Sequence, residues 1–188
     1  PMPILDSEPD LYPDDLLDGP GEFPAEDRLW WAIYCLSRRE KQLMRLLRAM
    51  DIAFYGPLVS KRNRSPSGRT RTSHVPLFPG YIFLCGSEEQ RQAAMTTNCI
   101  SQCIEAPDPA SLIEDLRQIR NLICAGQPVT MEAKLEAGQQ VRVKSGPFAN
   151  VEGTVLRRQN KTRLLVSVRY LQQGASVLLE DCDLELLD

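Results

Sequence analysis

The spacing of apolar positions along this 188-residue chain changes near residue 138. Before it, short continuous apolar runs alternate with stripes at helical spacing. After it, apolar residues recur at every second position. Residues 29–36 (Leu-Trp-Trp-Ala-Ile-Tyr-Cys-Leu) form a nearly continuous apolar run, short enough for a buried strand. Ser37 followed by Glu40 matches a capping box, and Leu43, Leu46, Leu47 and Met50 then share one helical face. Residues 53–59 predict a second strand, interrupted at Gly56-Pro57, and residues 77–85 a third, bent at Pro79-Gly80. Residues 88–97 predict a short helix and residues 100–105 a fourth strand. Pro109 stands where a helix can begin. Leu112, Ile113, Leu116, Ile119, Leu122 and Ile123 give that helix an apolar stripe, and Gly126 ends it. The order β-α-β-β-α-β-α is close to the split βαβ arrangement of ferredoxin-like domains.

From Gly138 onward, Val141 and Val143, then Val151 and Thr154, then Leu164, Val166 and Val168, then Val177 and Leu179 mark short strands. Ser145-Gly146-Pro147, Gln159-Asn160-Lys161 and Gln172-Gln173-Gly174 mark the turns between strands. About five strands in about fifty residues imply a small closed barrel. The expected fold class is therefore α+β. A ferredoxin-like split βαβ domain over residues 28–126 is followed by a polar linker, 127–137, and a small SH3-like five-stranded β-barrel, 138–188. Residues 1–27 are rich in Pro, Gly and acids without sustained periodicity, and read as a disordered tail.

The net charge of -3 conceals an asymmetry. Residues 1–27 hold nine acids and no Lys or Arg, whereas residues 28–126 hold 14 bases against eight acids. Residues 138–188 are nearly balanced, with seven bases and six acids. A polyanion is thus a candidate partner of the first folded unit rather than of the barrel. The loop over residues 61–74 is basic and turn-rich; Lys61, Arg62, Arg64, Arg69 and Arg71 face no acid within its first eleven residues. Phosphate contact there would be independent of sequence and sensitive to salt.

Enzyme chemistry finds little to stand on. The one histidine, His74, lies in the basic loop, and no nucleophile elbow, zinc-protease motif or phosphate-cradling loop occurs. Six cysteines, mostly inside apolar segments, fit a reducing compartment, and Cys99-x-x-x-Cys103 lacks the second pair that a zinc site needs. No catalytic residue, metal or cofactor is expected. No apolar run reaches the roughly 20 residues of a membrane span, and the acidic first segment is no secretory signal. A cytoplasmic monomer without membrane contact is the expectation. The aromatics are more telling. Trp30 and Tyr34 share one strand face, as do Tyr81 and Phe83, and such rings make either a core or an apolar groove for a partner.

Two motifs carry a family resemblance. Residues 30–35 (Trp-Trp-Ala-Ile-Tyr-Cys) are similar to the first strand of the NusG/RfaH family of transcription elongation factors, and residues 76–83 (Pro-Leu-Phe-Pro-Gly-Tyr-Ile-Phe) to its third-strand motif. Gly138-x-x-Val141-x-Val143-x-Ser145-Gly146-Pro147-Phe148 with Glu152-Gly153-Thr154-Val155 resembles the family's C-terminal KOW domain. In that pattern Gly146 and Gly153 serve a turn and a close backbone approach. The resemblance spans residues 29–188. It implies an N-terminal domain whose aromatic groove holds the clamp helices of the largest RNA polymerase subunit. Carried over, the groove residues are Tyr34, Tyr81 and Phe83, with Phe78 in support. It also implies upstream-DNA contacts from Lys61, Arg62, Arg64, Arg69 and Arg71. Family members recruit Rho or the ribosome through a Phe-Gly-Arg turn; here the stretch reads Leu171-Gln172-Gln173, which makes Tyr170 and Leu171 the candidate partner-binding residues. One branch of the family touches the polymerase gate loop through a His-Thr-Thr run, where this chain has Gln90-Arg91-Gln92. The implied function is transcription elongation and antitermination. Within the family, the Gln-Gln turn, the acidic tail and the RfaH-like first strand point to a specialised paralogue. The alternative reading is a KOW-type RNA- or ribosome-binding protein acting in translation, which calls for a basic barrel.

Overall fold

A computed structural model describes residues 8–18, 28–180 and 182–187. The chain divides into two compact units, Pro1–Pro107 and Asp108–Asp188. In the first, strands β1 (Leu11–Tyr12), β2 (Leu29–Cys35), β3 (Ala53–Tyr55), β4 (Leu58–Arg64), β5 (Thr70–Pro76), β6 (Tyr81–Gly86) and β7 (Ile100–Glu105) accompany helices α1 (Glu40–Ala49) and α2 (Glu88–Met95). One sheet runs in the order β1-β3-β6-β2-β7 with every neighbouring pair antiparallel. Without β1, this is the strand order of a ferredoxin-like domain, as the sequence pattern predicts.

The apolar run of β2 serves both faces of the sheet. Trp31, Ile33 and Cys35 point to the helix side and pack with Leu43, Met44 and Leu47 of α1 and with Phe54, Ile82 and Leu84. Trp30 and Ala32 point the other way and are also buried. That double burial is why the run is continuous rather than alternating.

Three local expectations need correction. Ser37 does not cap α1: the helix begins at Glu40 behind Arg39, which makes no side-chain cap, and the Glu40 carboxylate accepts the N–H of Gly80 at 2.8 Å instead. The capping box lies at α2, where Ser87 and Gln90 bond reciprocally. The basic loop of residues 61–74 is largely a β-hairpin, β4 paired with β5, turning at Ser65–Gly68. Finally, residues 8–18 of the expected disordered tail are ordered. Leu11 and Tyr12 pair with Tyr55 and Phe54, Leu17 is 1% exposed, and Asp10 accepts the N–H groups of Gly56 and Leu58. This arm satisfies backbone groups at the β3 edge of the sheet. A two-residue strand is too short to show periodicity. The rest of the expected tail lies outside the described residues.

The second unit holds α3 (Pro109–Cys124), β8 (Thr130–Glu132), β9 (Gln139–Val143), β10 (Glu152–Arg158), β11 (Lys161–Val168), a single 3-10 turn (Arg169–Leu171), β12 (Gln173–Leu178) and β13 (Leu184–Leu186). Its antiparallel sheet runs β13-β9-β10-β11-β12-β8, the SH3-like KOW architecture extended by one strand. That strand, β8, comes from the polar segment 127–137. Its Glu132 is buried and accepts bonds from the Ser176 hydroxyl at 2.6 Å and from Arg158 at 2.8 Å. Asp108 caps α3 through the Ser111 N–H, and Pro109 is its first residue. The sequence pattern groups this helix with residues 28–126; in the structure it lies against β11. Gly146 has φ +87, and a Cβ on Gly153 would meet the Leu165 carbonyl oxygen at 2.4 Å, so each glycine has the role expected of it.

Candidate functional site

The register of β2 against β6 makes Tyr34 and Tyr81 direct partners, Ala32 the partner of Phe83, and Trp30 the partner of Cys85. All six point to one face of the sheet, the face away from α1. The four candidates for the aromatic groove divide by burial. Tyr34 is 45% exposed and Tyr81 half-buried, with ring centroids 5.2 Å apart and planes tilted by 52°. Phe78 and Phe83 are 1% and 0% exposed and belong to the core. The structure therefore brings the two tyrosines together at the surface and leaves the two phenylalanines beneath it.

Gly80 sets the position of Tyr34. The turn from Phe78 to Tyr81 closes on itself through the Tyr81 N–H and the Phe78 carbonyl, 3.0 Å. Gly80 within it has φ +87, and a Cβ there would lie 2.9 Å from Tyr34 Cε2, so the ring rests directly on the glycine. The Gly80 carbonyl accepts the Cys35 N–H at 2.7 Å, and its N–H is held by Glu40. Beside the ring an open cleft of about 390 Å³ is lined by Leu36, Arg38, Pro79 and Ser101 among others. Ile104, 47% exposed, is the β7 partner of Ala32 and extends the face, a residue that sequence reasoning missed. Its only signal was one apolar position in a strand that mixes Ile100 and Cys103 with Ser101, Gln102 and Glu105.

The five bases of the hairpin are all exposed, and none pairs with an acid among the described residues. Pairing places Arg62 and Arg64 on one face of the ribbon and Lys61 and Arg71 on the other, with Arg69 at the turn. A two-sided ribbon of this kind can reach into a charged groove, whereas a one-sided patch lies on a surface. At the base of the hairpin, His74 Nδ1 lies 3.5 Å from the Ser60 hydroxyl. His74, Val75 and Pro76 line a second open cleft of about 600 Å³ with Arg38, Glu40, Lys41, Gln42 and Arg45.

In the second unit Tyr170 and Leu171 are both half-buried and lie in the 3-10 turn after β11, followed by Gln172 at φ 53. The turn is pinned from α3. Asp115, 7% exposed, accepts the Arg169 backbone N–H at 2.9 Å and both its guanidinium Nε and Nη2, the latter at 2.9 Å. This bonding raises the Arg169 pKa. Asp115 was not singled out from sequence, although a carboxylate inside the apolar stripe between Leu112 and Leu116 was visible there. Among the described residues, no three His, Cys, Asp or Glu side chains gather to hold a metal, and no helix is long and apolar enough to cross a membrane.

Comparison with known proteins matches the sequence to a family. The family model described as transcription termination factor NusG matches residues 28–134, from β2 through α3 and β8. The transcription termination/antitermination protein NusG of Vibrio cholerae is 28% identical over 179 residues, covering 87% of this chain and 98% of that protein. The protein of the same name from Staphylococcus aureus is 26% identical over 174 residues, covering 84% and 95%.

Proposed function

The chain belongs to the NusG family, and on that premise we propose that it is a transcription elongation and antitermination factor that works by binding and not by catalysis. The first unit docks on RNA polymerase, with the clamp helices of the largest subunit seated on the face of Tyr34 and Tyr81. The observation that carries this reading is the tyrosine pair, Tyr34 exposed and Tyr81 half-buried, in ring contact on a sheet face whose Trp30, Ala32, Phe83 and Cys85 are buried. Tyr rings on a rigid sheet offer large apolar area at small entropic cost, each with a hydroxyl for the partner's polar rim. Phe78, in the turn before Tyr81, and Phe83, two residues after it on β6, are buried and support the pair as core residues. The basic hairpin, through Lys61, Arg62, Arg64, Arg69 and Arg71, contacts the phosphates of upstream DNA. The KOW unit recruits a second partner, the ribosome or Rho, near Tyr170 and Leu171. The expected setting is the cytoplasm, with the protein a monomer and a specialised paralogue within its family. The Gln172-Gln173 turn in place of the family's Gly-Arg supports that last point.

The test is polymerase capture with wild type, Tyr34→Ala, Tyr81→Ala and Phe83→Ala. Each tyrosine variant should stay folded and lose about 2 kcal/mol of binding, roughly thirtyfold in affinity. Phe83→Ala should instead lose about 3–5 kcal/mol of folding stability through the cavity it leaves. Folded tyrosine variants that bind polymerase like wild type would remove the docking face from this account.

A further inference from the structure

Residues 8–18 hold five acids and no base, and they are fixed to the first unit rather than free. Strand β1 is hydrogen-bonded to β3, Leu17 is buried, Asp10 holds two backbone N–H groups, and the Tyr12 hydroxyl donates to Asp51 at the end of α1. These anchors place the Glu8 carboxylate 3.4 Å from Arg45 Nε. Arg45 is a wall of the open cleft between α1 and β5, and Arg38 and Lys41 line the same cleft without an acidic partner among the described residues. Glu40, the cleft's own acid, has a carboxylate oxygen committed to the Gly80 N–H. The cleft opens at the foot of the basic hairpin, so a phosphate backbone following the hairpin would run onto Arg45.

We propose that the acidic arm is a built-in competitor for that cleft: Glu8 occupies Arg45 until a nucleic-acid phosphate displaces it. The arm thereby weakens contact with arbitrary duplexes, and weak binding is overcome only when another contact holds the protein in place. This inference rests on the reading above that the first unit meets nucleic acid, whether or not the hairpin itself makes the contact. The arm is suited to the task because its anchors are independent of Glu8. Releasing the ion pair therefore leaves Leu11, Tyr12 and Leu17 seated, and the exchange costs no unfolding. A carboxylate–guanidinium pair at 3.4 Å whose arginine is largely exposed and whose acid is half-buried is also weak enough for a phosphate to replace.

The test is fluorescence anisotropy of the full chain with a labelled duplex of about 20 base pairs and arbitrary sequence, at about 50 mM and about 300 mM salt. Glu8→Gln should tighten binding about threefold at low salt and Glu8→Lys about tenfold, both gains fading at high salt as screening shortens. In an Arg45→Gln background, Glu8→Gln should change nothing. A wild type that binds duplex as tightly as Glu8→Gln overturns the proposal, as does an equal gain with and without Arg45. A variant with all five hairpin bases changed to Gln separates the two readings. If it binds like wild type while the Glu8→Gln gain persists, the arm proposal stands and the hairpin reading falls. If neither wild type nor Glu8→Gln binds duplex, both fall.

Discussion

Cys35 and Cys85 lie on adjacent strands, one on each face of the first sheet and at opposite ends of the pairing, and both are buried. Burial pushes the Cys35 thiol up to about 12 and the Cys85 thiol up to about 11 from an ordinary value of 9.0. The sign of the consequence follows from linkage. A folded pKa above the unfolded one means that the native state holds its proton longer. The stabilising contribution is therefore complete below about pH 9 and is lost as pH rises toward 11 and 12. Urea midpoints should be flat from neutral pH to about 9 and then fall. Thiol labelling of the native protein at pH 8 should modify exposed Cys124 first and leave Cys35, Cys85 and Cys99 intact until unfolding. Rapid native labelling of Cys35 would contradict its burial. These cysteines act as small core residues, which agrees with the sequence reading of a reduced set.

At the scale of elements, α3 and the turn after β11 are the pair that most repays a mutation. Asp115 is a buried acceptor with three donors on one residue, and it ties the helix to the turn that carries Tyr170 and Leu171. Asp115→Ala leaves the Arg169 N–H and guanidinium without this partner. It should cost about 2 kcal/mol of stability, with Asn restoring part because its amide oxygen still accepts. Urea titration followed by circular dichroism reads the cost, and hydrogen exchange in α3 should rise in parallel. An unchanged midpoint would show the bond to be energetically idle. The hairpin teaches a related lesson. Alternation of Lys61, Arg62, Asn63 and Arg64 contains no apolar residue, so no periodicity announces a strand. It forms nonetheless because Leu58, Val59, Val75 and Pro76 begin the pairing at its base.

For the whole molecule, the division of labour predicts a separation of functions. Leu171→Ala should leave polymerase capture within about twofold of wild type while reducing any effect that depends on the second partner. Capture and a transcription read-through assay on the same variant check this; a parallel loss of both would join the two units' roles. Much of this architecture was legible in advance. Apolar patterns located β2, α1, α3 and the strands β9 to β12, and alternation put Trp30 with Tyr34 and Tyr81 with Phe83 on common faces. Those features are local, since side-chain period is a property of the backbone alone. Three things were decided only by tertiary structure. Cross-strand register joined Tyr34 to Tyr81, and packing buried Phe78 and Phe83, because burial depends on what covers a face and not on which face a residue occupies. Edge pairing ordered residues 8–18 and 130–132, since a two- or three-residue strand gains its hydrogen bonds from a neighbour distant in sequence. Charge placement set Glu8 on Arg45 and Asp115 on Arg169, 37 and 54 positions apart in the chain, a distance over which composition records only that both signs are present.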